Sequence, residues 1–334
     1  MKVVIPVAGI GSRLRPHTHT QPKSLVPIAG KAILAHIIDD LIEGGMQDFI
    51  FVLGYLGDKV EDFIRRNYQD SIKATFVIQE PREGLAHAIW IARKTFAKEE
   101  EILVVLGDTI ARVALRTFID SPVSTLGVKK VGEPSLFGIA EVDQAGKVIK
   151  LVEKPKIPKS NLALVGIYKI KNVTLLLSSI EQLMKEDHKT RDEYQLTDAL
   201  MRMVQAGEEM HTVLVDHWYD CGKKETLLEA NAILLNHDKF KHDFPKETYP
   251  SAIIIPPVSI GKNCQIKDSI IGPNVAIGDH TIVQYSIVQN SIIGSFSELK
   301  NVVLKNSIVG NDSSIKGLSQ SLNIGDNTEL DFNK

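Results

Sequence analysis

The chain reads as an α/β protein, an open and mostly parallel sheet flanked by helices, followed by a short hexapeptide β-helix. Three observations predict this. Through the first half, short apolar runs alternate with amphipathic helical stretches at the spacing of βαβ units. The first of these runs, Val3–Val7, opens directly into a glycine-rich loop, Ala8-Gly9-Ile10-Gly11-Ser12-Arg13. Beyond residue 250 the texture changes to recurring aliphatic–glycine steps separated by Asn, Asp and Ser.

Taken in order, Val3–Val7 is a buried strand. Ala32–Ile42 is a helix with Ile33, Ile37, Ile38 and Leu41 on one face. A strand at Phe49–Leu53, a helix at Lys59–Asn67, a strand at Ala74–Ile78, a helix at Leu85–Phe96 and a strand at Ile102–Leu106 complete the alternation. Longer strands follow at Ser124–Val131, Ile139–Val142, Val148–Glu153 and Leu162–Ile170. Helices at Val173–Lys185 and Gln195–Gln205, a strand at Met210–Asp216 and a helix at Lys224–Leu235 close the first domain. We expect this domain over residues 1–238, a charged and proline-bearing linker over 239–250, and the β-helix over 251–334. In the last segment Ile260, Ile271, Ile277, Ile293, Val309 and Ile324 each precede a glycine, and Ile266, Val283, Ile287, Leu299, Leu304, Ile315 and Leu330 supply further inward aliphatics. The spacing, 6 from Ile271 to Ile277 but 11 from Ile260 to Ile271, predicts about four irregular coils.

Composition narrows the partners. At 334 residues, with 43% hydrophobic and 24% charged residues, the chain can bury two ordinary cores. A formal net charge of −2 gives no global basic field for nucleic acid or an anionic membrane. Cys221 and Cys264 are too few and too isolated for a disulfide framework or a metal cluster. No apolar run approaches the ~18–20 residues of a membrane helix, and no signal-peptide pattern precedes the first strand, so a cytoplasmic protein is expected.

In parallel sheets, ligands bind beyond the carboxyl ends of the strands. The glycine loop after the first strand, Gln79 after the third and Asp108 after the fourth all fall on that edge. The loop glycines allow backbone N–H groups close to a ligand, while Arg13, Arg15 and Lys23 add the charge a polyphosphate requires. Because the pattern is neither G-x-G-x-x-G nor a Walker A sequence, it does not name the ligand alone. Asp108 and Asp220 each end an apolar run, and each either helps hold a divalent cation such as Mg²⁺ or caps the element that follows. Gln79 carries an amide that can donate and accept at a uracil or thymine edge, or is a solvated loop residue. Glu153 and Lys154 suit sugar hydroxyls and a sugar phosphate, or form a solvated charged turn. Arg191 is placed either to reach a second phosphate or to open a helix. His87 is read as an ordinary helix residue, and Trp218 as packing.

Together these segments resemble the sugar-1-phosphate nucleotidylyltransferases. The likeness rests on Gly9-x-Gly11-Ser12-Arg13-x-x-Pro16 with Pro22-Lys23, Gly84-Leu85-Ala86-His87-Ala88, Leu106-Gly107-Asp108 and Phe137-Gly138. It continues through Glu153-Lys154-Pro155, Val165-Gly166-x-Tyr168, Tyr194-Gln195-Leu196-Thr197-Asp198 and Trp218-Tyr219-Asp220-x-Gly222, in the family's order across residues 1–235. With the C-terminal repeat, the chain looks most like the long-form glucose-1-phosphate thymidylyltransferases. That implies a Rossmann-like nucleotidyltransferase domain followed by a left-handed β-helix.

The resemblance implies that Arg13 and Lys23 grip a triphosphate, and that Ala8, Gly9, Gly11, Ser12, Gln79 and Gly84 bind the nucleotide. It implies that Asp108 and Asp220 hold Mg²⁺. Gly138, Glu153, Gly166 and Arg191 would line the sugar-phosphate side, with Lys154 on the phosphate. A pyrimidine nucleoside triphosphate, dTTP for choice, and glucose 1-phosphate are the implied substrates, and the β-helix is the expected site of homo-oligomer contacts. Three departures stand out. The loop is one residue shorter than the Gly-Gly-x-Gly-Thr-Arg form of thymidylyltransferases and resembles that of bacterial UTP–glucose-1-phosphate uridylyltransferases. Thr109 and Cys221 replace the usual Asn and Thr after the two aspartates. Alternatives are a UTP-dependent enzyme acting on glucose or N-acetylglucosamine 1-phosphate, a non-catalytic regulatory homologue, and an acyltransferase activity in the β-helix, whose one histidine is His280.

Overall fold

The computed structural model describes residues 1–237 and 248–317. Most of the expected linker, and the Ile324 and Leu330 positions of the repeat, lie outside them. The chain divides into two compact units, Met1–Ala230 and Asn231–Lys334, with the division inside the helix at Lys224–Leu235.

In the first unit, β1 (Lys2–Val7) leads through three short 3₁₀ turns to a small ribbon, β2 (Pro27–Ile28) and β3 (Lys31–Ala32). Next come α1 (Ile33–Glu43), β4 (Asp48–Leu53), α2 (Gly57–Tyr68), β5 (Lys73–Ile78), α3 (Leu85–Ala92) and β6 (Ile102–Val105). Here β5, β4, β1 and β6 lie side by side and parallel, in register from Val3 against Phe49 and Leu103. Helices cover both faces of such a sheet, which is why β1 reads as an unbroken apolar run, with Val3, Val4 and Ile5 fully buried.

Beyond β6 come β7 (Thr109–Arg112), α4 (Leu115–Ile119), β8 (Ser124–Lys130), β9 (Gly138–Val142), β10 (Val148–Glu153) and β11 (Leu162–Ile170). Then follow α5 (Val173–Lys185), α6 (Leu196–Gln205), β12 (Met210–Leu214), β13 (His217–Asp220) and α7 (Lys224–Leu235). The long strand β11 runs antiparallel to β6, β8 and β9, extending the sheet to nine strands. A single core joins Val4, Ile50 and Val104 of the sheet to Ile89 of α3 and Leu176 and Ile180 of α5. Strands β7 and β13 pair as a separate antiparallel ribbon. It sets Asp220 opposite Thr109, and so brings the two aspartates onto one edge.

In the second unit, the strands from Ile253 to Lys316 form a left-handed β-helix of three parallel four-stranded sheets. Bonds between coils link residues 17 apart in the early turns, as in Ser286 N–H to Ser269 Oγ, and 16 apart later, as in Val302 N–H to Ser286 Oγ. The repeat is therefore more regular than its glycines suggest. Ile266, which no glycine follows, fills the third face between Ile260 and Ile271, so the apparent gap of 11 is two ordinary steps. Val288, not Ile287, faces the core, since two adjacent aliphatics on a strand point to opposite sides. Corners adopt left-handed backbone at Asn263, His280, Phe296 and Asp312, among others. His280 stacks its ring on Phe296 at 4.9 Å, which suits a corner residue.

Candidate active site

The glycine loop leaves β1 at its carboxyl end. Gly9 has open space on its side-chain face, so the backbone is free to meet a ligand there. Gly11 is required for another reason: its φ of +67° is left-handed, and a methyl group would sit 2.9 Å from Lys23 Cβ. Ala8 is buried, with Tyr55 N–H donating to its carbonyl. Ser12 opens a 3₁₀ turn, Ser12–Leu14, that carries Arg13. Ser12, Arg13 and Arg15 are exposed.

Lys23 is buried, only 7% exposed, and its Nζ donates to Asp108 Oδ2 at 2.6 Å while lying 4.0 Å from Asp220 Oδ1. One ammonium thus joins the carboxylates of two segments far apart in sequence. Arg13 belongs to the same cluster, since a methyl group at Gly222 would meet an Arg13 guanidinium nitrogen at 2.7 Å and Asp220 Oδ1 at 2.8 Å. Burial alone would raise the Asp108 pKa, but Lys23's charge and hydrogen bond, a hydrogen bond from Thr109 and the Arg13 charge together hold it below the usual value. Asp108 is therefore ionised at neutral pH. Thr109, in place of the usual Asn, donates to Asp108 Oδ1 at 3.2 Å. Cys221 is fully buried and its thiol is pushed up to about 12, chiefly by burial, so it packs as a neutral thiol at neutral pH.

Could this pair hold a cation? Both donors are hard carboxylate oxygens converging on one positive charge. Among the described residues no three His, Cys, Asp or Glu side chains form a metal-holding group. Two carboxylates with remaining positions left to water and phosphate fit a Mg²⁺-like ion and not a zinc-type cage.

A second cluster surrounds Gln79, which follows β5 and is 4% exposed. Its Nε2 donates to the Gly84 carbonyl at 3.0 Å and faces His87 Nδ1 at 3.3 Å. Gly84 starts α3 with φ +108°, and a methyl group there would strike the Tyr194 backbone at 2.6 Å. The glycine is demanded by this packing as well as by any ligand.

The third cluster lies where β9 and β10 pair, Gly138 opposite Glu153. Thr197 donates to Glu153 Oε2 at 2.8 Å, and Gly138 is pressed against both groups. Lys154 Nζ lies 3.3 Å from Glu153 Oε1, and Arg191 Nη2 reaches the Lys154 carbonyl at 3.4 Å. Gly166, at a register break in β11, accepts the Leu106 N–H at 2.9 Å beside Gly107-Asp108. Tyr168 links this cluster to the first: burial raises its pKa most, and the charges of Glu153 and Asp108 raise it further. The sequence reading assigned no part to Thr197 or His87. Their signal, polar side chains at helix positions that must be buried, is legible only with the fold in hand. Trp218 meets Phe137 edge-on at 4.8 Å with Nε1 buried and unpartnered.

Comparison with known proteins bears on this geometry. A family model described as nucleotidyl transferase matches residues 2–237. The low-salt glycan biosynthesis nucleotidyltransferase Agl11 of Haloferax volcanii is 35% identical over 248 residues, 72% of this chain and 68% of its own. A glucose-1-phosphate thymidylyltransferase of Streptomyces griseus is 30% identical over 315 residues, 88% and 87% of the two chains. A UDP-glucose pyrophosphorylase solved with UDP-glucose superposes with a TM-score of 0.60 at 25% identity, over 70% of this chain and 97% of that one.

Proposed function

Since the chain belongs to the nucleotidyl transferase family, we propose that it transfers a nucleotidyl group from a pyrimidine nucleoside triphosphate to a sugar 1-phosphate. Pyrophosphate leaves and a nucleoside-diphosphate sugar forms. The observation that carries this reading is the single ammonium of Lys23 between Asp108 and Asp220, with Arg13 beside them. A non-catalytic homologue would have no need to keep all four.

On this reading a phosphate oxygen of the sugar 1-phosphate attacks the α-phosphorus in line. One P–O bond forms and the α–β anhydride bond breaks. The nucleophile is already anionic, so no general base is required, and catalysis is positioning with charge neutralisation. Arg13 and Lys23 draw charge off the triphosphate, with Ala8, Gly9, Gly11 and Ser12 supplying the backbone cradle. Gln79 and Gly84 bind the base. Asp108 and Asp220 would hold Mg²⁺, which when bound supplies charge neutralisation at the phosphates. Glu153, held by Thr197, and Gly138 and Gly166 contact the sugar, while Lys154 and Arg191 hold its phosphate.

Lys154→Ala is expected to raise KM for the sugar phosphate and lower kcat by a combined factor of about 10–100, the scale of a lost charge-assisted hydrogen bond. Unchanged steady-state constants would remove Lys154 from the scheme.

For the nucleotide and sugar, dTTP with glucose 1-phosphate is the favoured pair, supported by the similarity to the Streptomyces thymidylyltransferase along both units. UTP with glucose or N-acetylglucosamine 1-phosphate is the second reading, favoured by the shortened loop and by the likeness to the UDP-glucose pyrophosphorylase fold. Pyrophosphate release measured over dTTP, UTP, CTP and ATP against the sugar 1-phosphates separates them. Silence across that matrix from folded protein would overturn the reading. A cytoplasmic location belongs to the same proposal, since both proposed substrates are soluble phosphorylated metabolites. The β-helix, with Tyr285, Phe296 and Val303 exposed, is proposed to join copies of the chain, testable by light scattering with and without residues 248–334.

A further inference from the structure

Gln79 is a base reader only within the function proposed above, and the inference here rests on that reading. An amide ordinarily offers a ligand both a donor and an acceptor. In this chain the Nε2 group is already spent. One contact goes to the Gly84 carbonyl at 3.0 Å, and a carbonyl can only accept, so the nitrogen and not the oxygen must face it. The second contact, at 3.3 Å, is with His87 Nδ1. That nitrogen must therefore also accept, which puts the ring's proton on Nε2, the side lying 3.8 Å from the Glu83 carboxylate. Burial, partly opposed by the Glu83 charge and a hydrogen bond with Pro81, lowers the His87 pKa and keeps the ring neutral at pH 7. Gln79 Oε1 has no partner among the described residues. The buried side-chain polar atoms without partners there are Ser24 Oγ and Trp218 Nε1, so Oε1 retains contact with solvent.

We infer that His87 is a positioning residue for nucleotide choice: by accepting from Gln79 it leaves the amide oxygen alone to meet the base, selecting a ring N–H donor and rejecting a ring nitrogen acceptor. Uracil and thymine present N3–H and are accepted. Cytosine presents a bare N3 lone pair to the same oxygen and is rejected by repulsion and by loss of the bond. Removing His87 frees one N–H of Gln79 to approach the base, and the discrimination weakens.

Two measurements test this. Nitrogen-15 NMR of histidine-labelled protein, with His87 assigned through His87→Leu, is expected to show Nδ1 unprotonated and Nε2 protonated. A protonated Nδ1 would overturn the inference whether or not the enzyme turns over. The second is the ratio of kcat/KM for UTP or dTTP, whichever the wild type uses better, to that for CTP. His87→Leu should lower this ratio about tenfold, the scale of one hydrogen bond, and His87→Asn, whose Oδ1 can stand where Nδ1 was, should restore most of it. A folded His87→Leu protein with the wild-type ratio would sink the positioning role. If the wild type uses no nucleotide at all, the proposed function fails while the tautomer measurement still decides the geometry.

Discussion

Asp108→Asn is expected to lower kcat/KM for nucleotidyl transfer by about three orders of magnitude, the scale on which a preorganised charge at a phosphoryl centre acts. Asparagine preserves the shape of the side chain and its place at the start of the β7–β13 ribbon. What it removes is the negative charge that Lys23 meets at 2.6 Å. The Asp108 side chain is 44% exposed, so the loss of fold stability should be small, about 1–2 kcal/mol, well below that of a fully buried pair. Steady-state kinetics at saturating Mg²⁺, beside a thermal melt, check both. A variant within tenfold of the wild type would remove Asp108 from the metal site.

Lys23→Met should cost nearly as much in turnover, a factor of about 10²–10³, since a buried cation aimed at the phosphates acts like an oxyanion-hole donor. Its effect on metal binding should have the opposite sign. In the nucleotide-free protein the ammonium of Lys23 already neutralises Asp108 and lies 4.0 Å from Asp220. With methionine there, the two carboxylates lose their shared ammonium and keep only the Arg13 guanidinium beside them, so a divalent ion gains the place the ammonium held. Mn²⁺ titrated into the nucleotide-free proteins and followed by electron paramagnetic resonance should bind Lys23→Met more tightly than wild type, and Asp108→Asn more weakly. Equal affinities across the three would show that Lys23 does not occupy the cation's place.

Much of this architecture was legible in the chain because it follows from periodicity. The strands β1, β4 and β6 are largely buried on both faces and so read as continuous apolar runs, and the helix at Val173–Lys185 has both ends as the pattern places them. Candidate site residues are legible where they end such runs: Gln79 lies just beyond a strand, Glu153 at the last position of one, and Asp108 three residues past Val105. Hidden from the sequence was everything that depends on pairing across distance. The ribbon that sets Asp220 against Thr109 uses two four-residue strands with mixed composition, too short for a period to declare itself. The need for glycine at 84 comes from the Tyr194 backbone, more than a hundred residues away. In the sequence Gln79 reads as bifunctional because an amide is; in the fold its nitrogen is held by Gly84 and His87. The β-helix misled in the other direction: glycines mark only some of its corners, so a regular 16–17-residue coil read as irregular.

The central claim is displacement at the α-phosphorus by a sugar phosphate, and ³¹P NMR observes it directly. Wild-type protein incubated with Mg²⁺, glucose 1-phosphate and either dTTP or UTP should yield pyrophosphate and a nucleoside-diphosphate sugar in equal amounts, with both signals lost together in Lys23→Met. Release of inorganic phosphate without a sugar nucleotide, or no change from folded protein with either nucleotide across the sugar phosphates, would contradict it.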